Sequence, residues 1–326
     1  MKLLRYDICC LILSVVPTIY TGQVSATDLD MLDGGDLFQD LPSVFSASKY
    51  EQKLSDAPAS VSIVTSKEIR KYAYRNLGDV LNNQRGVYVT NDRNYSYVGT
   101  RGFGRPSDYN TRLMLMINGH RVNENIYNAF LAGDGFQIDM SSIERIEIVR
   151  GPSAALYGSG AFFGVINVIT KRGRDYQGGE LIGEYGSHDE YKGVLNYGRR
   201  FIEQETEFFV SGSFLDKAGQ DWYFPEFDDP STNNGHSIGA DQLQRYNLYS
   251  NLNYKDLSVD FSYSSREKNI PTAAYGTYFN SSDTFSVDTD WYIDVKYEHN
   301  FKSGANLLAR TSYNEYHYNG DYIYDW

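Results

Sequence analysis

Leu257-Ser258-Val259-Asp260-Phe261-Ser262-Tyr263-Ser264 alternates apolar and polar residues without a break. A period of two puts the two sets on opposite faces of a β-strand. The pattern recurs up and down the chain. Trp291, Ile293, Val295 and Tyr297 alternate with Tyr292, Asp294, Lys296 and Glu298. Phe208, Val210, Gly212 and Phe214 alternate with Glu207, Phe209, Ser211 and Ser213, and Tyr246, Leu248, Ser250 and Leu252 with Arg245, Asn247, Tyr249 and Asn251. Such stretches run about 10–13 residues, against about 5–6 for strands of soluble folds, and suit a tilted crossing of a bilayer. The connections are asymmetric as well. Counting Gly178–Gly186 as the first strand, connections two, four and six are short, around 201–205, 254–256 and 302–304. Connections three and five are long, roughly 217–241 and 270–289. Short turns on one side, long loops on the other and aromatics near strand ends (Tyr254, Tyr263, Trp291, Phe301) predict an antiparallel transmembrane β-barrel. A soluble sandwich shares the period of two but not the strand length or the loop asymmetry.

Composition agrees. The 326 residues carry 42 acidic and 30 basic side chains, a net charge of −12. That argues against nucleic acid as the main partner, because a backbone binder needs a basic surface. No apolar run approaches the ~20 residues of a spanning helix, which excludes a helical membrane protein and leaves a β-barrel open. Residues 1–26 read as a signal peptide, with Lys2 and Arg5 before the apolar run Ile8 to Val16 and small residues Val24-Ser25-Ala26 ahead of a cleavage point. Both cysteines, Cys9 and Cys10, fall in that segment, so the mature chain is expected to carry no disulfide and no thiolate chemistry.

Ahead of the strands, residues 57–170 read as a compact α+β unit. Val61 to Thr65 is a strand and Ser66 is expected to cap a short helix through Tyr72. Residues 76–83 form a second helix, closed by Gly86. Val87 to Val89 is a strand again. Leu113-Met114-Leu115-Met116-Ile117 runs into Asn118-Gly119, a strong hairpin signal, with Val122 able to begin the return strand. Ile143 to Val149 alternates apolar and charged residues and is expected to bury one face; Gly164 to Thr170 closes the unit.

This unit resembles the plug domain of TonB-dependent receptors. The matching pieces come in family order: residues 57–65, Leu77-Gly78-Asp79-Val80-Leu81 with Gly86-Val87, Thr100-Arg101-Gly102-Phe103, Leu115-Met116-Ile117-Asn118-Gly119, residues 143–150 followed by Gly151-Pro152, Ala155-Leu156-Tyr157-Gly158, and Gly164 to Thr170 with Asn167 inside it. The family usually has Asp where this chain has Asn118, and the turn accepts either. The resemblance implies a signal peptide at 1–26, a linker at 27–49, a plug at 50–174 and the N-terminal part of a barrel at 175–326. About seven of roughly 22 strands would be present, so the sequence is expected to be an N-terminal fragment. Such a fragment is expected not to insert as a closed pore, because two strand edges stay unpaired, while its plug folds alone.

The resemblance also assigns roles. Arg101 and Arg150, at the R-G and R-G-P positions, would dock the plug on barrel-wall glutamates, with Arg145 and Glu147 in the same network. Ser43, Val44 and Phe45 are the candidates for the TonB box, which adds a strand to the periplasmic TonB energy-transducing complex, although Pro42 beside them lacks a donor. Ligand-facing candidates come from three apical loops: Arg93, Tyr95 and Tyr97; Phe103, Arg105 and Tyr109; Tyr127, Phe130 and Phe136. The implied partners are outer-membrane lipid of a Gram-negative cell and a small organometallic ligand: a ferric siderophore or other iron complex, haem or cobalamin. An exported soluble β-rich binding or adhesion module is the alternative.

Nothing points to an enzyme. The sequence has no H-E-x-x-H, G-x-S-x-G or Walker loop, and its five histidines lack ligand spacing. Asp228, Asp229 and residues 233–235 could crowd a calcium ion but match no known loop pattern. No resident metal and no covalently bound cofactor are expected.

Overall fold

The computed structural model describes residues 43–44, 52–53, 60–105 and 107–324. The signal segment, both cysteines, Pro42 and Phe45 lie outside the described residues. Strand β1 (Ser43–Val44) pairs antiparallel with β2 (Gln52–Lys53), so two of the three TonB-box candidates are already engaged through their backbone.

Strand β3 (Ser60–Thr65) leads directly into α1 (Ser66–Lys71). The cap is Thr65 rather than Ser66. Its hydroxyl accepts from the Glu68 N–H at 3.3 Å while the Glu68 carboxylate accepts from the Thr65 N–H at 2.8 Å, a reciprocal box that needs Glu three residues after the cap. Helix α2 (Leu77–Asn82) is capped by Asn76 and ends at Asn83, ahead of the expected Gly86. Gly86, with φ +76°, instead turns the chain into β4 (Val87–Asn91), which pairs with β5 (Ser96–Thr100).

Next come β6 (Leu113–Ile117), β7 (His120–Arg121), β8 (Ile143–Arg150), the single turn α3 (Ala154–Tyr157) and β9 (Gly164–Thr170). They form a five-stranded sheet in the order β3-β8-β9-β6-β7. Asn118 and Gly119 both have positive φ (+50° and +74°), as a two-residue hairpin requires. Strand β8 departs from simple alternation. A register shift between Ile143 and Arg145 breaks the period, and Glu147, Ile148 and Val149 are all buried. The reason is a second layer. One face of the sheet packs Leu115, Ile117, Ile146 and Val168 into the main core, and the other packs Met114, Met116, Val149 and Val165 around Ala161.

The rest is a seven-stranded antiparallel meander: β10 (Gly178–Gly186), β11 (Glu190–Phe201), β12 (Thr206–Lys217), then β15 (Leu243–Tyr254), β16 (Leu257–Asn269), β17 (Phe285–Asn300) and β18 (Asn306–Asp321). A small hairpin, β13 (Trp222–Tyr223) with β14 (His236–Ser237), sits inside the long loop between β12 and β15. The asymmetry of connections two to six is as read from the sequence; the first, at 187–189, is short although it lies on the long-loop side.

Burial decides between barrel and sandwich. Along β15 the buried positions are Leu243, Arg245, Asn247, Tyr249 and Asn251, while Tyr246, Leu248 and Leu252 are exposed. Along β16 the buried positions are Asp260, Ser262, Ser264, Arg266 and Lys268, with Asn269 at its end. The inner face is polar and the outer face apolar, the reverse of a sandwich core and the arrangement of a barrel wall in lipid. The plug core runs on into this wall, where Phe209, Tyr249 and Tyr292 join its cluster.

Candidate functional site

The β4–β5 hairpin reaches the apex of the plug. Asp92 shapes its tip, accepting from the N–H groups of Asn94 (2.8 Å) and Tyr95 (2.6 Å) and from the Tyr97 hydroxyl (2.6 Å). Asn110, buried and at φ +63°, stitches three loops: its side chain donates to the carbonyls of Ser96 (3.1 Å) and Phe130 (2.9 Å) and accepts from the Val98 N–H (2.6 Å). Tyr109 then lies edge-on to Tyr95 and Tyr97, with centroids 5.9 Å away in each case, and parallel to Tyr127 at 6.4 Å. Its hydroxyl meets that of Tyr275 in the outer loop at 3.2 Å. Burial pushes the Tyr95, Tyr97 and Tyr109 phenols up, helped by Asp288, Asp92 and Tyr275 respectively, so all three remain protonated donors.

These rings enclose one side of a cavity of about 520 Å³, within the range of small-ligand sites. Of the ligand-facing candidates, Tyr95, Tyr109, Tyr127, Phe130 and Phe136 line it. Tyr97 backs Tyr109. Arg93 lies instead over the Trp222 ring of the outer loop at 3.5 Å, Phe103 stacks on Phe163 at 5.9 Å, and Arg105 is exposed. The wall completes the lining with Tyr275, Asp290, Tyr316, Tyr318 and Tyr322, and the plug adds Glu124. The five wall residues lie outside the three apical loops read from the sequence, whereas Glu124 falls in the apical loop 123–136 that also supplies Tyr127, Phe130 and Phe136. The tyrosine density of residues 313–324 was the available signal.

Below the cavity the plug meets the wall along a polar seam. Arg266, 2% exposed, donates to Asp288 (2.9 Å) and to the Asn94 side chain (3.0 Å) and backbone carbonyl of the plug hairpin; Tyr95 and Tyr316 donate to the same Asp288 at 3.1 and 2.7 Å. Asn118 donates to Thr170 and Tyr249 (2.9 Å each) and to Asp260 (3.3 Å). Arg310 bonds Asp294 at 2.8 Å and the carbonyls of Gly119 and Asn118 at 2.9 and 3.3 Å. Lys192 reaches Asp139 at 3.1 Å, Arg174 forks onto Glu207, and the Ser142 hydroxyl donates to that of Ser211 at 2.7 Å.

Of the four residues expected to dock the plug, Arg145, Glu147 and Arg150 pair within it. Arg145 bonds Glu147 (3.0 Å) and Glu144 (3.3 Å), and Arg150 bonds the Arg85 carbonyl and the Ser60 hydroxyl (3.0 Å each). Arg101, at φ +51°, is exposed. Among the described residues, contacts with these seven strands fall on other side chains, which sequence spacing could not reveal because their partners lie many tens of residues away. The motif residues make turns: Gly102 (φ +79°), Gly151 (φ +131°, before Pro152) and Gly158 (φ +79°, after α3). Asn167 accepts from the Gly119 N–H at 3.0 Å, and the Tyr157 phenol is pushed up to about 12 by burial and by Glu147. In the outer loop, Asp229 accepts from Ser231 (2.8 Å) and Asp228 from Tyr223 (3.1 Å), and the described residues contain no cluster of metal-binding side chains.

Residues 53–165 match the TonB-dependent Receptor Plug Domain family. They form a TonB-dependent receptor plug domain. The chain is 29% identical over 243 residues to the iron-regulated outer membrane virulence protein of Vibrio cholerae, covering 71% of this chain and 35% of that protein. It is 33% identical over 181 residues to the vitamin B12 transporter BtuB of Photobacterium profundum, covering 53% and 26%. The chain thus spans about a quarter to a third of the length of the curated relatives it matches. Its fold is similar to that of the ferric yersiniabactin uptake receptor FyuA from Yersinia pestis (TM-score 0.59, 18% identity, 86% of this chain and 43% of that one). It is also similar to the ferripyoverdine receptor of Pseudomonas aeruginosa (0.58, 16%, 85% and 37%). This receptor belongs in the outer membrane of a Gram-negative bacterium.

Proposed function

We propose that this receptor takes up a scarce metal complex, most simply an iron chelate, in an energy-coupled manner. The observation that carries this reading is the aromatic cavity at the plug apex, bounded by plug and wall together. Ligand stacks on the tyrosine rings, whose protonated hydroxyls supply adaptable hydrogen bonds. The periplasmic TonB complex then pulls the segment ahead of the plug, the polar seam parts, and the ligand passes inward. A seam of hydrogen bonds and ion pairs suits a repeatedly broken contact, because water replaces such bonds at little net cost. The relatives named for iron regulation and for vitamin B12 transport support metal complexes as the substrate class.

Equilibrium binding and cellular uptake of radio-labelled iron chelates and of cobalamin, measured on the full-length receptor, test the reading. Deleting Asp28 to Lys53 is expected to leave binding intact and abolish uptake; continued uptake overturns the energy coupling. Tyr109→Ala is expected to weaken binding about tenfold, the scale of one lost buried aromatic contact.

A further inference from the structure

We propose that the apex cavity selects a cationic or neutral metal chelate and rejects anionic ones. This deepens the ligand site proposed above and rests on it. The lining combines the ring faces of Tyr95, Tyr109, Tyr127 and Tyr316 with two carboxylates, Glu124 from the plug and Asp290 from the wall. Ring faces carry negative quadrupole potential and draw cations, the more strongly when water is excluded. Glu124 is held in place by backbone donors. Its carboxylate accepts from the backbone N–H groups of Tyr127 (2.7 Å) and Ala129 (2.9 Å), and from that of Ile126. Among the described residues no Lys, Arg or His lines the cavity.

The neighbouring guanidinium is committed elsewhere. Arg266 lies 5.2 Å from the Tyr95 centroid, but its fork is taken by Asp288 (2.9 Å) and Asn94 (3.0 Å), so its charge is balanced inside the seam. Arg93, the cation of the β4–β5 hairpin, is spread over Trp222. A positive chelate entering the cavity therefore meets π-faces and carboxyl groups that favour it. A trianion meets the same groups as repulsion, in a site where low dielectric strengthens both signs.

The test is a charge series of ferric complexes on the full-length receptor in detergent. The three probes are a trihydroxamate bearing a pendant ammonium, a neutral trihydroxamate, and a trianionic tris-catecholate. The expected result is that the cationic complex binds at least about tenfold more tightly than the trianion, with the ratio shrinking at high salt. Asp290→Asn and Glu124→Gln, each checked for heat-modifiable migration as evidence of folding, are expected to lower that ratio several-fold; the ratio is insensitive to any general loss of affinity. Equal or tighter binding of the trianion overturns the charge selection and leaves the ligand site standing. A ratio unmoved by both variants overturns its assignment to these carboxylates. Binding of none of the three overturns the ligand site itself, and the selection with it.

Discussion

Asn118 stands where the family usually has Asp, and its surroundings give the reason. Its amide donates to Thr170, to Tyr249 and, at 3.3 Å, to the Asp260 carboxylate of the wall, while its carbonyl oxygen accepts from the Thr170 N–H at 3.0 Å. An Asp here keeps the turn but brings two carboxylates into hydrogen-bond range, where they resist ionising together. Asn118→Asp is expected to lower the melting temperature of the detergent-purified receptor, and Asp260→Asn in the same molecule to recover part of the loss. The coupling should be about 1–3 kcal/mol, the scale for residues in direct contact. Additive effects of the two changes would sink this account. Asp139 gives the residue-scale pH dependence. Burial pulls its carboxyl up, but the Lys192 charge and the Ser141 hydrogen bonds outweigh that and hold it below the ordinary carboxylate value. A carboxyl depressed in the folded state contributes stability that is present above its unfolded pKa, about 4, and is lost as pH falls through the folded value. Melting scans from pH 6 downward should therefore show an acid-side loss that is shallower in Asp139→Asn.

At the scale of elements, the passage from plug to wall runs through a single turn, Gly173–Asp175. A Cβ on Gly173 would lie 2.3 Å from the Arg199 carbonyl of β11 and 2.6 Å from the Phe208 carbonyl of β12. Both obstacles are ladder backbone, which cannot move aside as a flexible side chain can. Gly173→Ala is expected to cost about 1–3 kcal/mol or to shift the turn off the wall, read out as a lower melting temperature and faster proteolysis after Arg172. No reading of the sequence singles out this glycine, because the atoms it avoids come from strands some 26 to 35 residues further on. The same physics separates what was legible from what was not. Period-two alternation is local, so all seven wall strands and the Asn118-Gly119 hairpin could be read directly. Which face turns inward is not local. Asp260 and Asp288 look like solvent-facing residues in sequence and are buried against the plug. Likewise Phe130 and Phe136 can be picked out as aromatic loop residues, whereas Asp290 becomes part of the site only once β17 is placed beside them.

At the scale of the molecule, the question is whether the plug must part from this wall for transport. Ser142, between Met140 and the start of β8, donates to Ser211 of β12 with the two oxygens 2.7 Å apart. Both side chains are buried and their hydroxyl oxygens face each other across the seam, so these two positions are the pair to replace by cysteine, with disulfide formation itself read from the loss of free thiol. Within this sequence the only other cysteines are Cys9 and Cys10, both in the segment read as a signal peptide. In Ser142→Cys/Ser211→Cys the cross-link ties the five-stranded sheet to the middle of the wall and leaves the apex cavity, built from other loops, untouched. If uptake requires the seam to open here, oxidised receptor binds ligand with unchanged affinity but transports none, and reductant restores transport. Each single cysteine variant should transport normally under oxidant. Undiminished uptake through the cross-linked receptor would mean that the ligand passes without this contact breaking. Movement would then have to be confined to the apical loops and to the hairpin around Asp92, whose ties to the wall run through Arg266 and Asp288.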